Sequence, residues 1–127
     1  MNFQFPADVQ EMQRTLRRFM DDEVLPRLSE YERIAASGTF PSVVVEPLKE
    51  RARNAGLWNL FLPGLRAEEP GTRLSNMQYA PLAEIMGRIP WAAEVFNCNA
   101  PDTGNMELLQ RGQNVANFCS FRLREPP

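Results

Sequence analysis

Asp8-Val9-Gln10-Glu11-Met12-Gln13-Arg14-Thr15-Leu16-Arg17-Arg18-Phe19-Met20-Asp21-Asp22-Glu23-Val24 is the stretch that decides the fold class. Its apolar residues Val9, Met12, Leu16, Phe19, Met20 and Val24 recur at steps of three and four, the spacing of one face of an α-helix. Arg14, Arg17, Arg18, Asp21 and Asp22 take the other face, and Pro26 ends the helix or turns it into the next short segment.

The same pattern recurs along the chain. Ser29 to Ala36 reads as a brief helix closed by Ser37-Gly38. Val43 to Ala55 reads as another, with Pro47 in its first turn and Gly56 as a left-handed stop. Ser75 and Gln78 form a capping-box pair for a helix running to Met86 and stopped by Gly87. Trp91 to Asn99 has a weaker helical period, and Asp102 is placed as the N-cap of a helix from Thr103 to Arg111, stopped by Gly112. Between these lie a buried apolar connector, Leu57 to Pro63, leading into Gly64, and a Pro- and Gly-containing loop, Arg66 to Arg73. Alternating strands and internal repeats are absent, so the expectation is an all-α bundle of about six helices.

Composition narrows function. The chain has 127 residues, 43% hydrophobic and 24% charged, enough for one domain with its own core. Fourteen basic and sixteen acidic residues give a net charge of -2, so nothing in bulk draws the chain to nucleic acid or anionic lipid. Trp58, Phe61, Trp91 and Phe96 have no basic stripe beside them and read as core. There is no histidine, which excludes a histidine triad, and two cysteines cannot make a four-cysteine zinc site, so no metal is expected. Cys98 and Cys119 read as reduced thiols, with a single bridge as the alternative. The start of the chain lacks the basic and apolar regions of a leader, and no run is long enough to span a membrane, which points to the cytoplasm.

Among candidate chemical groups, Glu68-Glu69, Asp21-Asp22-Glu23 and Glu84 read as solvated carboxylates. Gly64, Gly71, Gly104 and Gly112 form no phosphate-binding pattern; the helix start at Thr103-Gly104-Asn105 either receives an anion or is capped by Asp102. The run from Trp91 to Met106 interleaves small residues, amides and two aromatics around Pro101. It reads as a helix–turn–helix corner, with a pocket wall as the functional alternative.

The elements then match a known family in order. Glu23-Val24-Leu25-Pro26, Leu48 to Trp58, Asn59 to Pro63, Tyr79 to Arg88 and Phe96 to Met106 together resemble the N-terminal helical domain of the acyl-CoA dehydrogenases. The last two look like the branch found in some eukaryotes fused to a phosphotransferase-like domain. The resemblance runs from about Phe5 to Arg111, giving a family domain over 1–111 and a non-family tail over 112–127, read as partly disordered and as the product of a truncated or frame-shifted reading frame. It implies a flavoenzyme in which a glutamate takes the α proton of an acyl-CoA thioester while FAD takes the β hydride. That glutamate and most FAD contacts belong to other domains, so the chain alone is expected to be inactive, with no catalytic residue and without bound FAD. Val95, Phe96, Asn99 and Thr103 fall where the family's N-terminal domain lines one wall of the acyl pocket. Expected partners are the missing dehydrogenase domains or further copies of the chain. The rival expectation is a non-catalytic helical module for oligomerisation or partner binding.

Overall fold

Helix α1 (Ala7–Phe19) turns Val9, Leu16 and Phe19 inward. The computed structural model describes residues 4–62, 65 and 71–111, and the tail 112–127, Gly112 included, lies outside them, as do residues 63–64 and 66–70 of the connector's end and the loop. Past α1, Met20–Val24 widens into one π turn, closed by the Leu25 N–H on the Met20 carbonyl. Spacing explains the wide turn. Met20, Val24 and Leu28 follow at steps of four, and at about 100° per residue each step overshoots a full turn by about 40°. A turn holding an extra residue absorbs that drift and keeps both Met20 and Val24 in the core. Leu25–Arg27 is a single 3-10 turn in which Pro26 contributes no N–H, and α2 (Leu28–Ala35) follows directly. Pro26 therefore redirects the helix instead of ending it.

In α3 (Ser42–Asn54), Pro47 is the sixth residue, beyond the first turn expected for it. Its ring removes the bond to the carbonyl of Val43, a residue 69% exposed, where water can substitute. Gly56, at φ 71°, closes this helix as expected. Helix α4 (Asn76–Met86) opens with the expected capping box: Ser75 Oγ accepts from the Gln78 N–H at 3.3 Å, and Gln78 Oε1 accepts from the Ser75 N–H at 2.9 Å. The helix expected over Trp91–Asn99 is shorter; only Ala92–Val95 forms one turn, α5. Asn97 enters the left-handed region at φ 55°, and the Cys98 N–H folds back to the Ala93 carbonyl at 2.9 Å, which reverses the chain. Asp102 is the first residue of α6 (Asp102–Arg111) and not a cap ahead of it. Among the described residues there are thus five α-helices of eight residues or more, one single-turn α-helix, the π and 3-10 turns between α1 and α2, and no strand.

Helix α1 packs on α4, and α3 on α5. Phe96, fully buried, meets the Phe19 ring edge-on, with centroids 5.5 Å apart at 65°. Tyr31 of α2 stacks on Trp91 at 4.2 Å and 5°. The connector Leu57–Leu62 runs through the interior, with Leu57, Leu60 and Leu62 buried, and Arg53 sits 4.1 Å over the Trp58 ring. No helix is long and apolar enough to cross a membrane among the described residues.

Candidate functional site

The corner between α5 and α6 carries all four expected wall residues, and the structure divides them. Val95 and Phe96 are completely buried, Asn99 is exposed and Thr103 is half-buried. The Thr103 N–H bonds to the Asn99 carbonyl at 3.1 Å, so these two residues share the turn that opens α6. The turn's apolar side is core, and its polar side reaches solvent.

Three contacts fix this corner from three directions. The connector grips it first: the Asn59 N–H donates to the Phe96 carbonyl at 3.1 Å, and Asn97 Nδ2 donates to Asn59 Oδ1 at 2.6 Å. Asn97 Nδ2 also reaches Met106 Sδ of α6 at 3.8 Å. Helix α3 adds Lys49, whose Nζ lies 3.0 Å from Glu46 and 2.5 Å from Glu94; Glu94 in turn accepts from Asn99 Nδ2 at 2.9 Å. Burial by itself would lower the Lys49 pKa, but the two carboxylates, Glu94 foremost, outweigh it and hold the ammonium above its usual 10.5. From α4, the Tyr79 hydroxyl stands beside Cys98, whose thiol donates to the Phe96 carbonyl at 3.3 Å. Burial pushes the Cys98 thiol up to about 11, despite the opposing pull of the Phe61 and Leu60 amides and the Tyr79 hydroxyl. Burial and the neighbouring Cys98 also raise the Tyr79 phenol.

The corner offers shape and fixed amide groups, without a nucleophile in reactive form. Among the described residues no three His, Cys, Asp or Glu side chains gather to hold a metal. The carboxylates singled out from the sequence sit elsewhere: Asp21 faces Arg88 at 3.5 Å, Glu23 pairs with Arg27 and Arg51, and Glu84 is exposed; Glu68 and Glu69 lie outside the described residues. Sequence reasoning passed over Lys49, Asn59, Tyr79, Glu94 and Asn97. For Asn59 there was a signal, since it is the one polar residue from Leu57 to Leu62. The reach of Lys49 to Glu94 spans 45 positions (94 minus 49) and had none.

Comparison with models of known families finds no match. Individual relatives match well. The chain is 46% identical over 107 residues to acyl-CoA dehydrogenase family member 10 of Mus musculus, covering 81% of this chain and 10% of that protein. It is 42% identical over 115 residues to the probable acyl-CoA dehydrogenase FadE2 of Mycobacterium tuberculosis, covering 86% of this chain and 26% of that protein. A solved structure, described as a putative acyl-CoA dehydrogenase from Mycobacterium abscessus, superposes with a TM-score of 0.70 at 42% identity, over 88% of this chain and 30% of that one. The chain thus spans between a tenth and a third of the relatives it matches. Sequence and fold agree over most of its length, and this chain belongs to the acyl-CoA dehydrogenase family, matching a segment of its much longer members.

Proposed function

We propose that residues 1–111 are the N-terminal helical domain of an FAD-dependent acyl-CoA dehydrogenase acting on the α and β carbons of acyl-CoA thioesters. The observation that carries this reading is the joint match of sequence and helical fold to acyl-CoA dehydrogenases. Within it, the α5–α6 corner supplies one wall of the acyl pocket, with Val95 and Phe96 giving the wall its rigid apolar backing and Asn99 and Thr103 its polar margin. Residues 112–127 stand apart as a tail outside the family pattern. The compartment proposed is the cytoplasm.

The corner's donor set does not fit FAD. Lys49, the cation tied to it, is engaged by Glu46 and Glu94, and Asn97 and Asn99 turn their amide nitrogens to partners within the chain. A flavin ring or a diphosphate needs donors pointing outward. The resemblance to the family assigns the base and most of the FAD contacts to parts of the longer members that this chain does not match, and on this reading the chain alone is inactive. Mixing the purified chain with FAD, desalting and recording the absorbance spectrum tests this. A colourless protein is expected; a flavin band that travels with the chain would overturn it and call for an assay of acyl-CoA turnover.

The second reading, a non-catalytic module that associates with a partner, is favoured by one observation. Phe40, Val43, Met77 and Leu108 are between 56% and 82% exposed, large apolar side chains that water does not favour.

A further inference from the structure

We infer that Asn97 is a positioning residue for the acyl wall, locking the turn that carries Val95 and Phe96 to the Leu57–Leu62 connector and to α6 at once. The inference rests on the reading of this corner as an acyl wall.

Thirty-eight positions separate Asn59 from Asn97, yet each stands in the left-handed region, at φ 54° and 55°. Few side chains tolerate that backbone, and asparagine is among those that do. Adopting it at both places aims the two amides at each other, 2.6 Å apart. The nitrogen of Asn97 directs one bond to Asn59 Oδ1 and the other to Met106 Sδ, so the amide bridges connector and helix. Asn59 is completely buried, and its Oδ1 would lose this donor in a place water does not reach. The far side of Asn59 is closed as well: a Cβ at Gly71 would lie 3.2 Å from the Asn59 Cβ and 2.2 Å from Leu65. Phe96 is held between these contacts, its carbonyl accepting from the Asn59 N–H and from the Cys98 thiol. A shift of the turn that carries Val95 and Phe96 therefore strains the bonds to Asn59 and Met106 and, through Met106, reaches α6 and Thr103. A wall whose apolar and polar ends keep a fixed spacing sets where an acyl chain can lie.

Two substitutions isolate the amides. Asn97→Gly and Asn59→Gly both keep a residue at ease with positive φ and remove the amide; the backbone freedom that each glycine adds is independent at the two positions and would add in the double variant, whereas loss of the shared bond would not. Hydrogen–deuterium exchange of the full chain is read over residues 94–103 and over α1. In Asn97→Gly, exchange over 94–103 is expected to rise about fivefold to tenfold beyond any rise in α1, the effect of one lost buried hydrogen bond. The double variant is expected to exchange no faster there than the faster single one. A rise no greater than that in α1, or effects that add in the double variant, would overturn the latch. Should Asn59→Gly fail to fold, Asn97→Gly carries the comparison alone, since its side chain sits at the half-buried end of the pair. Octanoyl-CoA added to the wild-type chain is expected to slow exchange over 94–103, and to do so several-fold less in Asn97→Gly. Failure of octanoyl-CoA to protect the wild-type corner would remove the acyl-wall reading and leave the latch; equal protection in both chains would remove the positioning role.

Discussion

Cys98 shows how one side chain's surroundings decide its chemistry. Its thiol is buried beside Tyr79 and Phe96, and burial lifts its pKa from 9.0 to about 11. The thiolate is the reactive form, so at pH 8 a shift of that size lowers its fraction about a hundredfold before access is counted. Iodoacetamide at pH 8 should therefore leave the Cys98 peptide unmodified in the folded chain and label it readily in urea, as mass spectrometry of the digest would show. Rapid labelling of the folded protein would place the thiol at the surface. At this scale the sequence told little. Val95 and Phe96 lie on the corner that the residue pattern suggests, and their wall role comes from family likeness, but Phe96 is fixed by residues far away in sequence, Phe19 edge-on to its ring and Asn59 on its carbonyl. No local pattern encodes which distant group will arrive.

Elements were the most legible scale, because their determinants lie within a turn or two of chain. Ser75 and Gln78, three positions apart, announced the reciprocal cap that the structure shows at the start of α4. Ser75→Ala should lower the unfolding free energy by about 1 kcal/mol in a urea titration, with little change in slope; no change would mean that water serves the Gln78 amide as well. What the sequence pattern does not show is the wide turn at Met20–Val24 and the early end of the segment at Asn97. Pro47 and Pro81 sit inside helices that the pattern does give, Pro47 one turn deeper than expected, and the neighbouring packing outweighs one absent bond at each. Asn97 cut short a segment whose apolar spacing would have allowed a longer helix, since its tertiary bond to Asn59 favours the left-handed backbone.

At the scale of the molecule, three groups around the corner, Cys98 buried and Lys49 and Tyr79 half-buried, respond to alkali in the same sense. Lys49, Tyr79 and Cys98 all have pKa values raised above 10.5, 10.0 and 9.0. Each binds its proton more tightly in the folded chain, so the stability it contributes is complete below the unfolded value and is lost as pH climbs through the folded one. Urea midpoints should hold steady to about pH 8 and fall from about 9 to 11; a midpoint that rose over that interval would contradict the tighter hold of these groups on their protons in the folded chain. The exposed Phe40, Val43, Met77 and Leu108 lead to a second expectation, a dimer or larger species by light scattering, with a clean monomer counting against it. The all-α architecture and the family were readable from the ordered series of motifs, whereas the paths joining them across the core were not. The wide turn at Met20–Val24 has one more consequence. Because it sets the azimuth of everything between Leu25 and Ala35, removing a single residue there would swing α2 by about 100° about its axis. Tyr31 would leave Trp91, so this short stretch tolerates substitution far better than it tolerates insertion or deletion.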